Sequence, residues 1–238
     1  MLKLVNSKRF GSCVRVSLLT AGNKICGWRC IYCPVWPEEK SSIKKISERS
    51  KIIDTLNSIL LRKSAIDSVV IGGPPEPTLH PQFHGIMQDI QTLKKELSAS
   101  WQIHCVTNAT ELDSTDIQRG CQCADQVWVK LDCAYEDLFS ETNQPKDSLK
   151  NHLKRIRNLA EPGIETVLWR VPGDPSKQNW TAENLRALLD IYSTLKVKKI
   201  HLTTPKKPSV FSKVQPVGYV DIEAFALRAE ELGLSVTS

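Results

Sequence analysis

The sequence predicts an α/β fold built as a partial (β/α)6 barrel of the TIM type. Short runs of β-branched and apolar residues alternate with longer stretches of helical periodicity, which is typical of successive βα units in a parallel sheet. Most of the runs are β-branched or apolar nearly throughout, as expected of strands that are covered by helices. Six strands are predicted, at residues 14–19, 68–71, 102–107, 126–131, 165–170 and 199–203.

Between the strands, apolar residues recur at the three- and four-residue spacing of amphipathic helices. Thr181 at the start of one helix and Gly233 just past the end of another are predicted caps. Residues 234–236 are predicted to add a short final strand. The apolar stripes are Ile52, Ile53, Leu56, Ile59 and Leu60, then Leu149, Leu153, Ile156 and Leu159, and last Ile222, Phe225, Ala226, Ala229 and Leu232.

The composition is that of a protein with one full hydrophobic core. Of the 238 residues, 41% are hydrophobic and 24% are charged, so we expect a single domain over residues 1–238. The net charge of +6 permits an anionic substrate without requiring one, because a solvated basic surface gives the same balance. The N-terminus lacks the apolar stretch of a secretory signal, and no run approaches a membrane span. We therefore expect a cytoplasmic protein with no membrane partner.

Three of the eight cysteines, Cys26, Cys30 and Cys33, lie within eight residues of one another. Thiols stay reduced in the cytoplasm, so clustered cysteines there favour metal ligation over disulfides. Three thiolates can hold three irons of a 4Fe-4S cluster and leave the fourth iron open to a small molecule. A zinc site normally takes four ligands, and no second pair follows at a matching spacing. The polar segment 34–45 that comes next is predicted to be a functional loop.

A second motif, GGPPEPTLHP at residues 72–81, follows the strand predicted at 68–71. Glycines allow the backbone to approach a ligand closely, and prolines stiffen the turn. Taken alone, the segment could equally be a tight connection between a strand and a helix.

Together, the C-x3-C-x2-C spacing and the GGPPEPTLHP segment resemble the radical S-adenosylmethionine (radical SAM) superfamily. The second segment resembles the family's Gly-Gly-Glu-Pro motif, from which this chain departs because Pro75 stands where a glycine usually precedes the glutamate. The order of the segments that end the strands resembles the wyosine-synthetase-like branch of single-domain iron-sulfur oxidoreductases, with Arg9-Phe10-Gly11 as its opening turn. The other segments are at 107–108, 131–132, 170–173 and 203–205.

The resemblance implies a radical SAM enzyme. A 4Fe-4S cluster would cleave S-adenosylmethionine reductively, and the resulting 5'-deoxyadenosyl radical would abstract a hydrogen atom from a substrate. It implies Cys26, Cys30 and Cys33 as the cluster ligands. The residues implied to bind S-adenosylmethionine are Tyr32 as a neighbour of the adenine, Gly72, Gly73 and Glu76 in the glycine-proline motif, and Asn108, Asp132 and Arg170 at strand ends.

The sequence leaves the substrate and some residue roles open. Asn108, Lys130, Asp132 and Arg170 could contact either the cofactor or the substrate, and Lys130 could instead form a structural ion pair with Asp132. The substrate could be an RNA nucleoside, a peptide or a small metabolite, and an electron donor such as flavodoxin or ferredoxin is implied. RNA is suggested by basic residues expected near one rim of the barrel: Lys196, Lys198, Lys199, Lys206 and Lys207.

The alternative from another class is a non-catalytic iron-sulfur or zinc-binding protein of the same fold. Cys121 and Cys123 suggest an auxiliary cluster, but no cysteine follows Cys133, so we expect one cluster only. Cys105 is interpreted as a small core residue. His80 is expected to orient the glycine-proline motif, and a metal site formed by His80 and His84 lacks a third ligand.

Overall fold

The computed structural model describes residues 2–19, 26–35, 46–62, 65–73, 75–211 and 213–238, so most of the loop predicted at 34–45 lies outside the described residues. The chain divides into two compact units. The first comprises Met1–Cys26 and Glu38–Trp128, and the second comprises Gly27–Pro37 and Val129–Ser238. The single domain over residues 1–238 stays a prediction. Among the described residues, every helix is too short or too polar to cross a membrane.

The first unit contains a sheet in which β2, β3 and β4 run parallel and β1 lies antiparallel to β2. Strand β3 is buried along its whole length, as its valines and isoleucine require. Val16 of β2 pairs with Ile71 of β3, which pairs with Cys105 of β4, so these strands end at the same edge. The strands are β1 (Leu2–Ser7), β2 (Gly11–Val16), β3 (Ser68–Ile71) and β4 (Gln102–Thr107).

Three helices of the first unit bury apolar stripes. Ile52, Leu56 and Leu60 are the buried residues of α1, at the spacing that the sequence predicts. Helix α2 buries five residues that include Phe83 and Met87. The helices are α1 (Arg49–Arg62), α2 (Phe83–Glu96) and α3 (Thr115–Gln122).

The second unit repeats the parallel arrangement. Strands β6, β8 and β10 pair in parallel, β5 is the neighbour of β6 in the sheet, and β7 and β9 form a separate antiparallel pair. The boundary between the units falls within β5. The elements are β5 (Gln126–Lys130), α4 (Glu136–Thr142), α5 (Leu149–Arg157), β6 (Gly163–Val167), β7 (Trp169–Arg170), α6 (Ala182–Thr194), β8 (Lys199–Thr203), β9 (Gln215–Pro216), α7 (Tyr219–Glu231) and β10 (Ser235–Thr237).

The predicted α/β class is confirmed, with two corrections to the strands. The strand predicted at 14–19 begins and ends three residues earlier, as β2. The strand predicted at 165–170 is two strands, β6 and β7, because Leu168 leaves the sheet pairing between them. Both predicted caps are confirmed: Thr181 Oγ1 accepts a hydrogen bond from Asn184 N, and Gly233 has φ +81° after α7.

The basic residues expected near one rim lie at opposite ends of β8. Lys196, Lys198 and Lys199 precede or begin this strand, whereas Lys206 and Lys207 follow it. A strand of five residues is about 16 Å long, so residues at its two ends are far apart although they are close in sequence. The prediction that these lysines share one rim failed for this reason. Lys198 also forms an ion pair with Glu161, with Nζ and Oε1 2.7 Å apart.

Candidate cofactor site

The glycine-proline motif begins where β3 ends and runs close to β4. Gly72 N donates a hydrogen bond to the carbonyl oxygen of Val16 over 3.3 Å. A Cβ atom on Gly72 would lie 2.8 Å from Val106 Cβ, a distance that carbon atoms do not adopt without displacement. Gly73 has φ +99°, a conformation that favours glycine. The sequence therefore needs both glycines for this turn, and Pro74 lies outside the described residues.

Glu76 joins this turn to the end of β4. Its side chain is buried, and Oε1 accepts hydrogen bonds from Thr78 N at 3.2 Å, Thr78 Oγ1 at 2.8 Å and Thr107 Oγ1 at 2.5 Å. Oε2 accepts one from Asn108 N at 2.8 Å. Burial raises the pKa of Glu76, although these hydrogen bonds oppose the shift. The carboxyl group thus fixes the 3-10 turn Pro77–Leu79 against the strand end.

Asn108 extends the same network to the first cysteine of the motif. Its Nδ2 donates to Cys26 Sγ over 3.3 Å. Its Oδ1 accepts from Thr110 N at 3.0 Å and from Thr110 Oγ1 at 2.6 Å, which fixes which end of the amide faces the sulfur. The first unit therefore brings together five of the residues predicted from the sequence: Cys26, Gly72, Gly73, Glu76 and Asn108.

In the second unit, Cys30 and Cys33 share one turn, in which Cys33 N donates to the carbonyl oxygen of Cys30 over 3.0 Å. The ring of Trp28 meets the ring of Phe139 edge to face, with centroids 5.2 Å apart. It meets the ring of His152 in the same way at 5.1 Å. Such aromatic pairs add to the stability of a buried cluster. The segment with these two cysteines is therefore anchored on α4 and α5.

Asp132 is the centre of a buried network beside this turn. It follows β5 and is fully buried. Oδ2 accepts hydrogen bonds from Tyr32 Oη at 2.6 Å and from Asn143 Nδ2 at 2.8 Å, and Oδ1 accepts one from Val167 N at 2.8 Å. A buried carboxylate needs such partners. Buried in this way, Asp132 is better placed to hold Tyr32 and Asn143 than to contact a ligand directly.

Lys130 forms the ion pair that the sequence suggested. Its Nζ lies 3.4 Å from Asp132 Oδ1 and 3.4 Å from Glu165 Oε1. Burial lowers the pKa of Lys130, but the two carboxylates outweigh burial and raise it. The ring of Tyr32 packs on the ring of Trp169 with centroids 4.8 Å apart. The pKa of Tyr32 is raised by burial and by Asp132.

Arg170 belongs to a different cluster of the second unit. Its Nη2 lies 2.7 Å from Asp221 Oδ2 on α7, and its guanidinium carbon lies 5.7 Å from the ring centroid of Trp180. A role for Arg170 in binding the cofactor stays a prediction.

The remaining histidines and cysteines have structural partners. His80 Nδ1 accepts from Gln82 N at 3.1 Å while its Nε2 faces the carbonyl oxygen of Ser47 at 3.0 Å, so His80 orients the motif as expected. His84 Nδ1 lies 2.8 Å from Asp116 Oδ1, so His84 pairs with this carboxylate and not with His80. Cys105 is buried in β4, as interpreted from the sequence, and its pKa is raised by a hydrogen bond with Cys121 and by burial.

The donor chemistry fits an iron-sulfur cluster. All eight cysteines lie in described parts of the chain, and none is in a disulfide. Sulfurs of Cys26 and Cys30 each receive an amide N–H, the donor type that supports cluster thiolates. Within the described residues, no three cysteine, histidine or carboxylate side chains form a ready metal-binding group. The ligand assignment thus rests on the motif and stays a prediction.

Solved structures with the same fold identify the architecture. SuiB of Streptococcus suis bound to S-adenosylmethionine matches with a TM-score of 0.71 at 13% identity, over 94% of this chain and 49% of SuiB. Archaeal TYW1 matches with a TM-score of 0.54 at 16% identity, over 92% of this chain and 71% of TYW1. The chain has the radical SAM fold. The predicted fold class, an α/β fold of the radical SAM type, is confirmed at the level of the fold. The chain spans about half the length of SuiB.

Sequence comparison finds a relative of higher identity than these structures. A UPF0026 protein of Synechocystis sp. is 26% identical over 215 residues, which cover 86% of this chain and 74% of that protein. No protein-family model matches the chain.

Asn143 is the residue of this site that sequence reasoning missed. It lies between two polar residues just after α4, and no motif marks it. Its side chain is fully buried and reaches both Asp132 and Cys30. Only the folded chain brings position 143 beside position 30.

Proposed function

We propose that this chain is a radical SAM enzyme with one 4Fe-4S cluster. When bound, the cluster and S-adenosylmethionine supply reductive cleavage of the sulfonium and abstraction of a hydrogen atom from a substrate. The observation that carries the proposal is that Cys26 and Cys30, within a C-x3-C-x2-C motif on a radical SAM fold, each accept a hydrogen bond from a buried asparagine. A sulfur that receives an N–H donor is suited to carry the negative charge of a ligated thiolate.

Cys26, Cys30 and Cys33 would hold the cluster. Three protein thiolates satisfy three irons and leave one iron for an exchangeable ligand. The turn that joins Cys30 to Cys33 fixes the backbone between two of these ligands.

The residues around the cysteines would hold S-adenosylmethionine. Gly72 and Gly73 would let the backbone approach the methionine part, and Glu76 would fix that loop through its bonds to Thr78, Thr107 and Asn108. The proposed neighbour of the adenine is Tyr32.

At strand ends, Asn108 would orient Cys26, and Asp132 would hold Tyr32 in place. Arg170 would have to exchange its ion pair with Asp221 for the cofactor carboxylate.

The substrate class and the partners remain proposals. SuiB has been crystallised with its precursor peptide SuiA, which supports a peptide among the candidates of peptide, RNA nucleoside and small metabolite. The lysines at opposite ends of β8 remove one argument for RNA. An external electron donor such as flavodoxin or ferredoxin in the cytoplasm would reduce the cluster.

The test is anaerobic reconstitution with iron and sulfide, followed by dithionite and S-adenosylmethionine, with 5'-deoxyadenosine measured by chromatography. We expect formation in the wild type and in Cys123→Ala, a matched control outside the motif, and none in Cys30→Ala. A loaded wild-type protein that forms no 5'-deoxyadenosine would contradict the proposal. Zinc bound in place of iron in the purified protein would favour the non-catalytic alternative.

A further inference from the structure

Asn143 of the second unit contacts both Cys30 and the buried carboxylate of Asp132. Its fully buried side chain directs Nδ2 at two acceptors, Asp132 Oδ2 at 2.8 Å and Cys30 Sγ at 3.5 Å. An amide nitrogen carries two hydrogens, so both contacts can be made at once. The distance to the sulfur is normal for a donor to this larger atom.

The opposite end of the Asn143 amide is also engaged, which fixes its orientation. Cys133 Sγ donates to Asn143 Oδ1 over 3.4 Å, and burial raises the pKa of this thiol and keeps its proton in place. A flipped amide would set Oδ1 against the carboxylate of Asp132, where two acceptors would repel each other. The N–H end therefore faces Cys30.

Asn143 also holds the backbone on both sides of Cys30. Its carbonyl oxygen accepts from Arg29 N at 3.0 Å, and the preceding carbonyl, of Thr142, accepts from Ile31 N at 2.8 Å. The end of α4 thus fixes the residues before and after Cys30. Side chain and main chain together place the Cys30 sulfur beside the N–H donor of Asn143 in a buried setting, where hydrogen bonds have a large electrostatic effect.

We propose that Asn143 is a positioning residue that raises the reduction potential of the cluster through its hydrogen bond to Cys30. This inference rests on the proposed function. A donor to a cysteine sulfur withdraws negative charge, and hydrogen bonds to cluster sulfurs are among the factors that set the potential. The reduced cluster carries one more negative charge than the oxidised cluster, so the donor favours reduction. Asn143 would thereby ease electron transfer from a weak biological donor.

The test is a potentiometric titration of the reconstituted cluster without S-adenosylmethionine. Electron paramagnetic resonance measures the fraction of reduced cluster at each potential. Asn143→Leu keeps the shape and removes the donor, and Asn143→Asp replaces the donor with an acceptor. We expect midpoint potentials in the order wild type, Asn143→Leu, Asn143→Asp, the last being the most negative. Iron and sulfide contents should equal those of the wild type.

Asn184→Leu is the matched control for loss of a buried asparagine. Asn184 is also buried and hydrogen-bonds to Ala134 N and to the carbonyl oxygen of Asn179, so this variant should lose stability and keep the wild-type potential. Equal potentials in wild type and Asn143→Leu would overturn the inference. A wild-type protein that assembles no cluster would instead overturn the proposed function.

If Asn143→Leu fails to fold, Asn143→Ser provides the same comparison with a smaller polar side chain. Its hydroxyl is too short to reach both acceptors, so the potential should again be more negative than in the wild type. An unchanged potential in Asn143→Ser would count against the inference equally.

Discussion

Tyr32 and Asp132 are one hundred positions apart in the chain, and the Tyr32 hydroxyl donates to Asp132 Oδ2 over 2.6 Å. The contact joins the residue before the third motif cysteine to the second residue after the end of β5. Because Asp132 is fully buried, each of its donors offsets part of the cost of burying a charge.

Tyr32→Phe should therefore lower the free energy of unfolding by about 1–3 kcal/mol, since it removes one donor from a buried carboxylate. Urea unfolding of the apoprotein measures this change. The control is Tyr135→Phe, which removes a hydroxyl from an exposed ring and should have little effect. Equal free energies of unfolding in Tyr32→Phe and the wild type would show that the Tyr32 hydroxyl does not stabilise the buried Asp132 carboxylate.

Gly72→Ala should destabilise the first unit because the new methyl group would meet Val106 Cβ at 2.8 Å. Overpacking of this kind costs about 1–3 kcal/mol, and thermal unfolding monitored by circular dichroism measures it. The control is Gly218→Ala, where the added Cβ would have only an ordinary contact with Asp221 at 3.5 Å. If both variants melt like the wild type, β4 does not approach Gly72 as closely as described.

The sequence predicted three of the parallel strands well because most of their buried positions carry apolar or β-branched residues. The bounds predicted at 68–71, 102–107 and 199–203 match β3, β4 and β8. Strand β1 was missed because it lies at the sheet edge and half of its residues are exposed. A strand that is not buried has no continuous apolar run by which it can be recognised.

Without the family resemblance, the candidate site was predictable only where residues lie close together in sequence. The spacing of Cys26, Cys30 and Cys33 is a local pattern, whereas the contact from Asn143 to Cys30 depends on how α4 packs. The lysines around β8 give the opposite case. Lys199 and Lys206 are close in sequence, yet they lie at opposite ends of the strand.

Glu76→Gln should weaken the binding of S-adenosylmethionine to the reconstituted protein by about tenfold, which corresponds to about 1.4 kcal/mol. Both carboxyl oxygens accept hydrogen bonds, so an NH2 group at either place would oppose a donor and loosen the loop after β3. Anaerobic calorimetry measures the dissociation constant. The control is Glu96→Gln at the exposed end of α2. Unchanged binding in Glu76→Gln would mean that the loop does not depend on the carboxylate.

His152 should make the stability of the second unit depend on pH. Burial lowers the pKa of His152 from 6.5 to about 4, and the ring packs against Trp28 and Phe139. Between these two pKa values the unfolded chain binds a proton that the folded chain does not. The stability that His152 provides is therefore complete above pH 6.5 and is lost as the pH falls towards about 4.

The full loss from this residue corresponds to about 3 kcal/mol at pH values below about 4. Urea unfolding of the wild type and of His152→Gln at about pH 7 and about pH 5 measures the part of this loss that falls between the two pH values. Glutamine is the suitable replacement because it keeps an N–H for the carbonyl oxygen of Lys130 but does not titrate. The wild type should lose more stability than the variant between the two pH values, and the half-buried His201→Gln should behave as the wild type does. An equal loss of unfolding free energy in the wild type and in His152→Gln would contradict the prediction. It would show that His152 is protonated in the folded protein, and that the aromatic cluster of Trp28, Phe139 and His152 tolerates the charge.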